Sequence, residues 1–297
     1  MKYKFTNGAQ LLDVCEKEGK SIYEVMILRE CESKEIERSL VIGSMTEAYE
    51  VMKSAIEAGM DPNIKSVGGL IGGGAHKLST YAGEHASLAG KAMTDAIAAA
   101  MAVSEVNASM GKIVAAPTAG SCGILPGAVV KIGLDRGLTD ETIVNGLFTA
   151  SAVGYLIARN ATVSGAEGGC QAETGTAAAM AAAGLVEMLG GTPKSALSAA
   201  AFTIKNILGL VCDPIAGLVE CPCEKRNAIG TANAVISADM ALAGITTIVP
   251  FDEVVDAMRS VGRIMSPTLK ETSMGGLADA PTARELEAGI FGDEKVK

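Results

Sequence analysis

The chain has 297 residues, 48% of them apolar but only 3% aromatic, and it has no tryptophan. Its formal net charge is −9, from 25 basic and 34 acidic residues. An acidic surface repels phosphate backbones, so nucleic acid is not an expected partner. The core has to be built from Ala, Val, Ile, Leu and the 14 methionines, and the 35 glycines point to close helix–helix approach.

The N-terminal residues carry no apolar run of the kind a secretion signal needs, because charges interrupt it. Residues 1–60 read as a helical lead-in, and 61–297 as a second helical domain rich in small residues. Ser21 and Glu24 have capping-box spacing ahead of Val25, Ile27, Leu28, Ile36 and Leu40, an amphipathic pattern. A second helix is predicted over 46–58, stopping at Gly59. A glycine-rich loop follows at 65–85, then an alanine-faced helix over 86–108. Further helices are predicted at 123–134, 140–159, 171–189, 193–208, 227–244 and 252–264, with Pro193 well placed at a first helical position. Loops are expected near 65–85, 115–123, 160–170, 209–227 and 266–282. Period-2 strands are scarce: 113–118 and 246–251 are short apolar runs open to either a strand or a turn. The predicted fold class is all-α. The most apolar windows, 92–103 and 177–186, are too short for a membrane span, so no membrane partner is expected.

Composition and the lack of a secretion signal lead to the expectation of a cytoplasmic chain, in which seven cysteines read as metal or redox ligands before disulfides. Cys15 and Cys31 fall on amphipathic helices and read as small buried apolar groups, while Cys122 is ambiguous. Cys170, Cys212 and Cys223 stand in Gly- or Pro-bearing loops, where a cluster finds backbone freedom and amide donors. Thiolates suit zinc or iron–sulfur clusters. Three of them without an obvious fourth would leave a four-iron cluster with one iron open to substrate, a Lewis-acid site. Cys221, two residues before Cys223, is a spare ligand.

Common nucleotide motifs are absent: there is neither GxxxxGK[ST] nor GxGxxG. His76 and His85 lack the spacing of a helical zinc pair, and no GxSxG appears. Lys77, beside three glycines, is a weak candidate for a pyridoxal phosphate Schiff base, and no such cofactor is expected.

Four long segments then carry a resemblance: APTAGSCGILPG (116–127), NATVSGAEGGCQAE (160–173), GLVCDPIAGLVECPCEKRNA (209–228) and LKETSMGGLA (269–278). Together they resemble the α chain of the two-chain, iron–sulfur-dependent L-serine dehydratases, well over 65–280 and less diagnostically over the first 60 residues. The resemblance implies an all-helical catalytic chain holding a 4Fe–4S cluster on Cys170, Cys212 and Cys223. It implies L-serine as substrate, with pyruvate and ammonia as products. It also implies a separate β chain with an ACT-like regulatory architecture, which in single-chain relatives is fused ahead of the catalytic part. Some of those relatives end in a cysteine that caps the open iron. This chain ends GDEKVK, so self-capping is not expected.

For such a reaction the candidate bases are His76, Lys77, Ser164, Glu167, Lys270 and Glu271, unless the β chain supplies the base. Thr118, Ser121, Asn160, Ser164 and Asn227 are candidate substrate-binding residues, with Asn227 expected to open a helix whose free amides favour a carboxylate. Other readings are a related lyase acting on L-cysteine or L-threonine, and a non-catalytic iron–sulfur or zinc protein.

Overall fold

A computed structural model describes residues 1–292; the last five residues of the GDEKVK tail, 293–297, lie outside the described residues. The all-α expectation holds: thirteen α-helices and no strand are found among the described residues. α1 (Gly8–Glu18), α2 (Ile22–Lys34) and α3 (Arg38–Ala58) precede α4 (Gly74–Glu84) and α5 (Lys91–Ala108). A π-helical stretch, Pro126–Lys131, runs into the short α6 (Ile132–Asp135). Then come α7 (Asp140–Asn160), α8 (Gly165–Gly168), α9 (Cys170–Met188) and α10 (Pro193–Asn206). α11 (Cys223–Leu242), α12 (Phe251–Ile264) and α13 (Pro281–Phe291) follow.

α9 is the centre of the molecule. Its alanines from Ala177 to Ala183 are fully buried, and α7, α10 and α11 pack around it. Alanine combines high helix propensity with a side chain small enough for axes to approach closely. One buried cluster joins Phe5, Leu11 and Ile22 to Leu156, Leu185 and Ile204, so α1 and α2 share the core of α9. Each such Leu or Ile contributes about 1.5–3 kcal/mol by leaving water. α7 is long and apolar enough to cross a membrane by length and composition, but most of it is buried, against α2 and α9.

Several helix starts are closed by carboxylates from distant sequence. Glu187 accepts the amides of Ile22 at 2.6 Å and Tyr23 at 3.0 Å, and takes the Thr149 hydroxyl as well. The Ser21 capping box is therefore corrected: Ser21 is the N-cap, but its side chain makes no cap bond. Glu105 accepts from Gly73, Gly74 and Ala75 at 3.0, 2.7 and 3.1 Å and starts α4 inside the predicted 65–85 loop. Other expectations are corrected too. α3 begins at Arg38 rather than 46, α11 begins at Cys223 rather than 227, and α13 was not anticipated. Neither 113–118 nor 246–251 forms a strand. The Thr192 start of α10 does form a capping box, with Ser195, and Pro193 is in the first turn.

Candidate active site

Two of the three candidate ligand cysteines are the first residues of helices, Cys170 of α9 and Cys223 of α11. The free amides and dipole of a helix start favour a thiolate. Cys212 lies between them in sequence, on the irregular segment that joins α10 to α11. Cys170 and Cys212 are buried and Cys223 is half-buried. All three thiols are pushed up, first by burial. Cys212 is raised further by Glu173, Cys170, Glu271 and Cys223; Cys223 by Cys170 and Glu173, with Arg226 opposing. The three sulfurs therefore lie within electrostatic reach of one another. Among the described residues, no three His, Cys, Asp or Glu side chains are gathered closely enough to chelate a single ion.

Glu173 stands in the same turn of α9 as Cys170, three residues on. Thr118 donates to its Oε1 at 2.8 Å, and Thr118 is 3.1 Å from Ser121. The Cys212 thiol lies 3.8 Å from Oε2. Burial, with Glu271 adding to it, raises the Glu173 carboxyl, while the Thr118 bond and Arg226 oppose. A side chain at Gly165 would crowd the site: a Cβ would come within 2.6 Å of Glu173 Oε2 and 2.9 Å of Cys212 Sγ.

The 266–276 loop docks on this centre through its backbone. Cys212 donates to Leu269 O at 2.9 Å and accepts from Glu271 N at 2.7 Å, an isolated parallel bridge that pairs Cys212 with Lys270. Asp213, itself buried, accepts from Arg226 at 2.7 Å and from the Leu277 amide at 2.7 Å. Gly276, at φ 67°, leaves room for that carboxylate, since a Cβ would sit 2.4 Å from Asp213 Oδ2. Arg226 also donates to Val211 O at 2.8 Å, and its positive charge acts on Cys170, whose sulfur is 3.1 Å from the Thr174 hydroxyl. Ala216, Glu271 and Ser273 hold left-handed backbones at φ 57°, 62° and 55° in these two loops. Such strain persists only where surrounding contacts over-determine it.

Of the candidate bases, Lys270 and Glu271 are carried to the cysteines by this bridge. His76 is turned to Met60 O at 3.2 Å, Lys77 is exposed on α4, and the exposed Glu167 accepts from Thr162 at 2.5 Å. Among the candidate substrate-binding residues, Thr118 reaches Glu173, Ser121 reaches Thr118, and Ser164 precedes Gly165 beside it. Asn160 is committed to Thr6 O and Leu156 O. Asn227 does not open a helix. It lies in the second turn of α11, accepts from Gly123 and donates to Gly120 O and Cys223 O, which ties the 120–123 loop to the cysteine.

Glu173, Arg226 and Asp213 were missed in the sequence. The available signal was a carboxylate heading an otherwise apolar helix, and an arginine three residues after a loop cysteine. Cys221, half-buried, acts on Cys223 electrostatically, whereas Cys122 is packed with its thiol pushed up to about 12 by burial. Cys15 is likewise buried on α1 and pushed up to about 12, and Cys31 is on α2. A separate cleft of 680 Å³ between α2, α3 and α7 meets the site only through the 114–117 segment and Val163.

The family model described as "Serine dehydratase alpha chain" matches residues 17–278. The chain is 49% identical over 288 residues to the probable L-serine dehydratase alpha chain of Bacillus subtilis, covering 97% of this chain and 96% of that one. It is 47% identical over 277 residues to the L-serine dehydratase alpha chain of Peptoniphilus asaccharolyticus, 93% and 95% of the two chains. A longer relative, the L-serine dehydratase of Helicobacter pylori, is 37% identical over 285 residues, which are 93% of this chain but 62% of that one.

Proposed function

Because the chain belongs to the serine dehydratase alpha chain family, we propose that it is the catalytic chain of a cytoplasmic, iron–sulfur-dependent L-serine dehydratase. It releases pyruvate and ammonia from L-serine in company with a separate β chain. The observation that carries the reading is the convergence of Cys170, Cys212 and Cys223, from three separate segments, on one partly buried locale beside Glu173 and Arg226.

These residues suit a 4Fe–4S cluster. Cys170, Cys212 and Cys223 are soft sulfur donors within electrostatic reach of one another, the donor type such a cluster takes, and they would hold it. When bound, the cluster supplies a Lewis acid toward the substrate hydroxyl and carboxylate.

The chain's own residues supply placement. Arg226, fixed by Asp213 and Val211 O, brings a positive charge to Cys170. Thr118, braced by the buried Ser121, holds Glu173, and Ser164 offers a hydroxyl beside Gly165. Lys270 and Glu271 are the candidates placed nearest for handling the Cα proton, a role that contributes about 10²–10⁴-fold when a base is well positioned. The eliminated aminoacrylate tautomerises and hydrolyses without further help. Ile264, Met274 and Leu277 stand exposed around this loop, an apolar rim that suits cover by the β chain.

The test is to purify the chain anaerobically, measure iron and acid-labile sulfide, and follow pyruvate formation from L-serine with and without the β chain. Near-equimolar iron and sulfide together with serine-dependent pyruvate is the expected result. Zinc in place of iron, or turnover of L-threonine or L-cysteine alone, overturns the assignment.

A further inference from the structure

An amino acid substrate differs from a hydroxy acid by a cationic α-ammonium, and a site that selects it has to present an acceptor with free capacity. Three carboxylates near the cysteines are already engaged by donors of the chain itself. Asp213 spends one oxygen on Arg226 and the other on Leu277 N. Glu220 takes the Ser66 hydroxyl and the Gly68 and Leu70 amides. Glu105 takes three amides of the α4 start.

Glu173 differs. Its Oε1 is held by Thr118 at 2.8 Å, which fixes the carboxylate plane. Its Oε2 has a single partner, the Cys212 thiol at 3.8 Å, and keeps a lone pair for a further donor. Gly165 keeps the space over Oε2 clear, since any Cβ there would lie 2.6 Å from it.

We infer that Oε2 of Glu173 receives the α-ammonium group of the substrate, making Glu173 the residue by which the site prefers a 2-amino acid over its deaminated analogue. Thr118 then acts as the positioning residue that aims it. The inference rests on the functional reading above and adds to it the group that recognises the amine.

The test uses the complete enzyme, both chains with the cluster reconstituted, in wild-type, Glu173→Gln, Glu173→Asp and Thr118→Val forms. The ligands are L-serine and 3-hydroxypropanoate, which is serine without its amino group, measured by steady-state kinetics and by calorimetric binding. Removing one charge-assisted contact is expected to weaken L-serine by about 10- to 100-fold in Glu173→Gln. Affinity for 3-hydroxypropanoate stays within about threefold of wild type, since a contact it never makes cannot be lost. Glu173→Asp is expected to recover part of the L-serine affinity, and iron and sulfide content to stay at the wild-type level. Equal weakening of both ligands, loss of the cluster in Glu173→Gln, or an unchanged KM for L-serine each overturns the inference while leaving the dehydratase reading intact. A wild-type enzyme with no serine turnover overturns that reading first.

Discussion

Asp213 and Arg226 form a buried ion pair at 2.7 Å that joins the cysteine loop to the first turn of α11, three residues on from Cys223, with side chains only 3% and 14% exposed. The same carboxylate grips the Leu277 amide, so one side chain ties three segments together.

Asp213→Ala leaves the Arg226 charge buried and unpaired, and a loss of about 3–5 kcal/mol in stability is expected. The 270–277 loop loses its anchor at the same time. A lower melting temperature together with faster proteolytic nicking in that loop is the expected pair of results. A normal melt with unchanged nicking would show that the pair holds nothing in place.

Cys170→Ser, Cys212→Ser and Cys223→Ser are each expected to abolish bound iron and the visible chromophore and to cut activity by more than about 100-fold, beyond what loss of an outer-shell partner costs. Cys15→Ser and Cys31→Ser, on α1 and α2, should keep the full chromophore. Iron analysis and absorbance of the five proteins decide it. A Cys212→Ser protein with full iron content removes that residue from the ligand set.

Gly165→Ala pushes a methyl into Glu173 Oε2 and Cys212 Sγ, at 2.6 and 2.9 Å from its unrelaxed position. Overpacking of this kind costs about 1–3 kcal/mol. The larger effect is expected on the site: lower iron retention and a higher KM for L-serine. Gly83→Ala, where a Cβ meets nothing within 4 Å, serves as the control that should behave as wild type.

Glu187→Ala removes the acceptor for the Ile22 and Tyr23 amides and for Thr149. Loss of a cap and of a further buried bond is expected to cost about 2–3 kcal/mol, read by chemical denaturation. The cysteine locale is elsewhere, so the iron content of the folded protein should not change.

Glu105 is raised to about 7, mainly by burial and then by its hydrogen bond and repulsion with Glu224, while the Ala75 and Gly74 amides oppose. Glu224 in turn pairs with Lys225. The folded state therefore holds a proton that the unfolded chain, near pH 4.5, has released. The resulting stability is complete below about pH 4.5 and is lost as pH rises through 7. Denaturation midpoints across pH 5–8 should fall for the wild type and stay flatter for Glu105→Gln. Parallel slopes for the two proteins would place the pH dependence elsewhere.

The helices that sequence revealed were those whose signals are local. The Thr192–Pro193 start of α10 and the alanine-rich run of α9 carry their own cap or propensity. α4 was hidden because its start is closed by Glu105 of α5, which no reading of 65–85 contains. Ser21 misled for the complementary reason: the spacing was right, but Glu187 already occupied the amides. At the candidate site, the three cysteines could be singled out because each stands in a Gly- or Pro-bearing stretch that interrupts helical sequence. Glu173 was not, because a carboxylate at the head of a helix reads as an ordinary first-turn acid until Thr118 and Cys212 are seen beside it. Asn160 and Asn227 had the right chemistry for binding, but backbone carbonyls claim their side-chain amides.

α9 carries Cys170 and Glu173 in its first turn and then runs through the middle of the core. The opposite wall is the strained loop around Lys270, held by an isolated bridge and by Asp213. The two walls therefore belong to different units of opening. Amides in the body of α9 exchange with solvent only when the whole molecule unfolds, whereas those of the loop can exchange through a local excursion that leaves the core intact. Such an excursion uncovers Cys212 from one side and leaves Cys170 sheltered, so the locale gives way at Cys212 first.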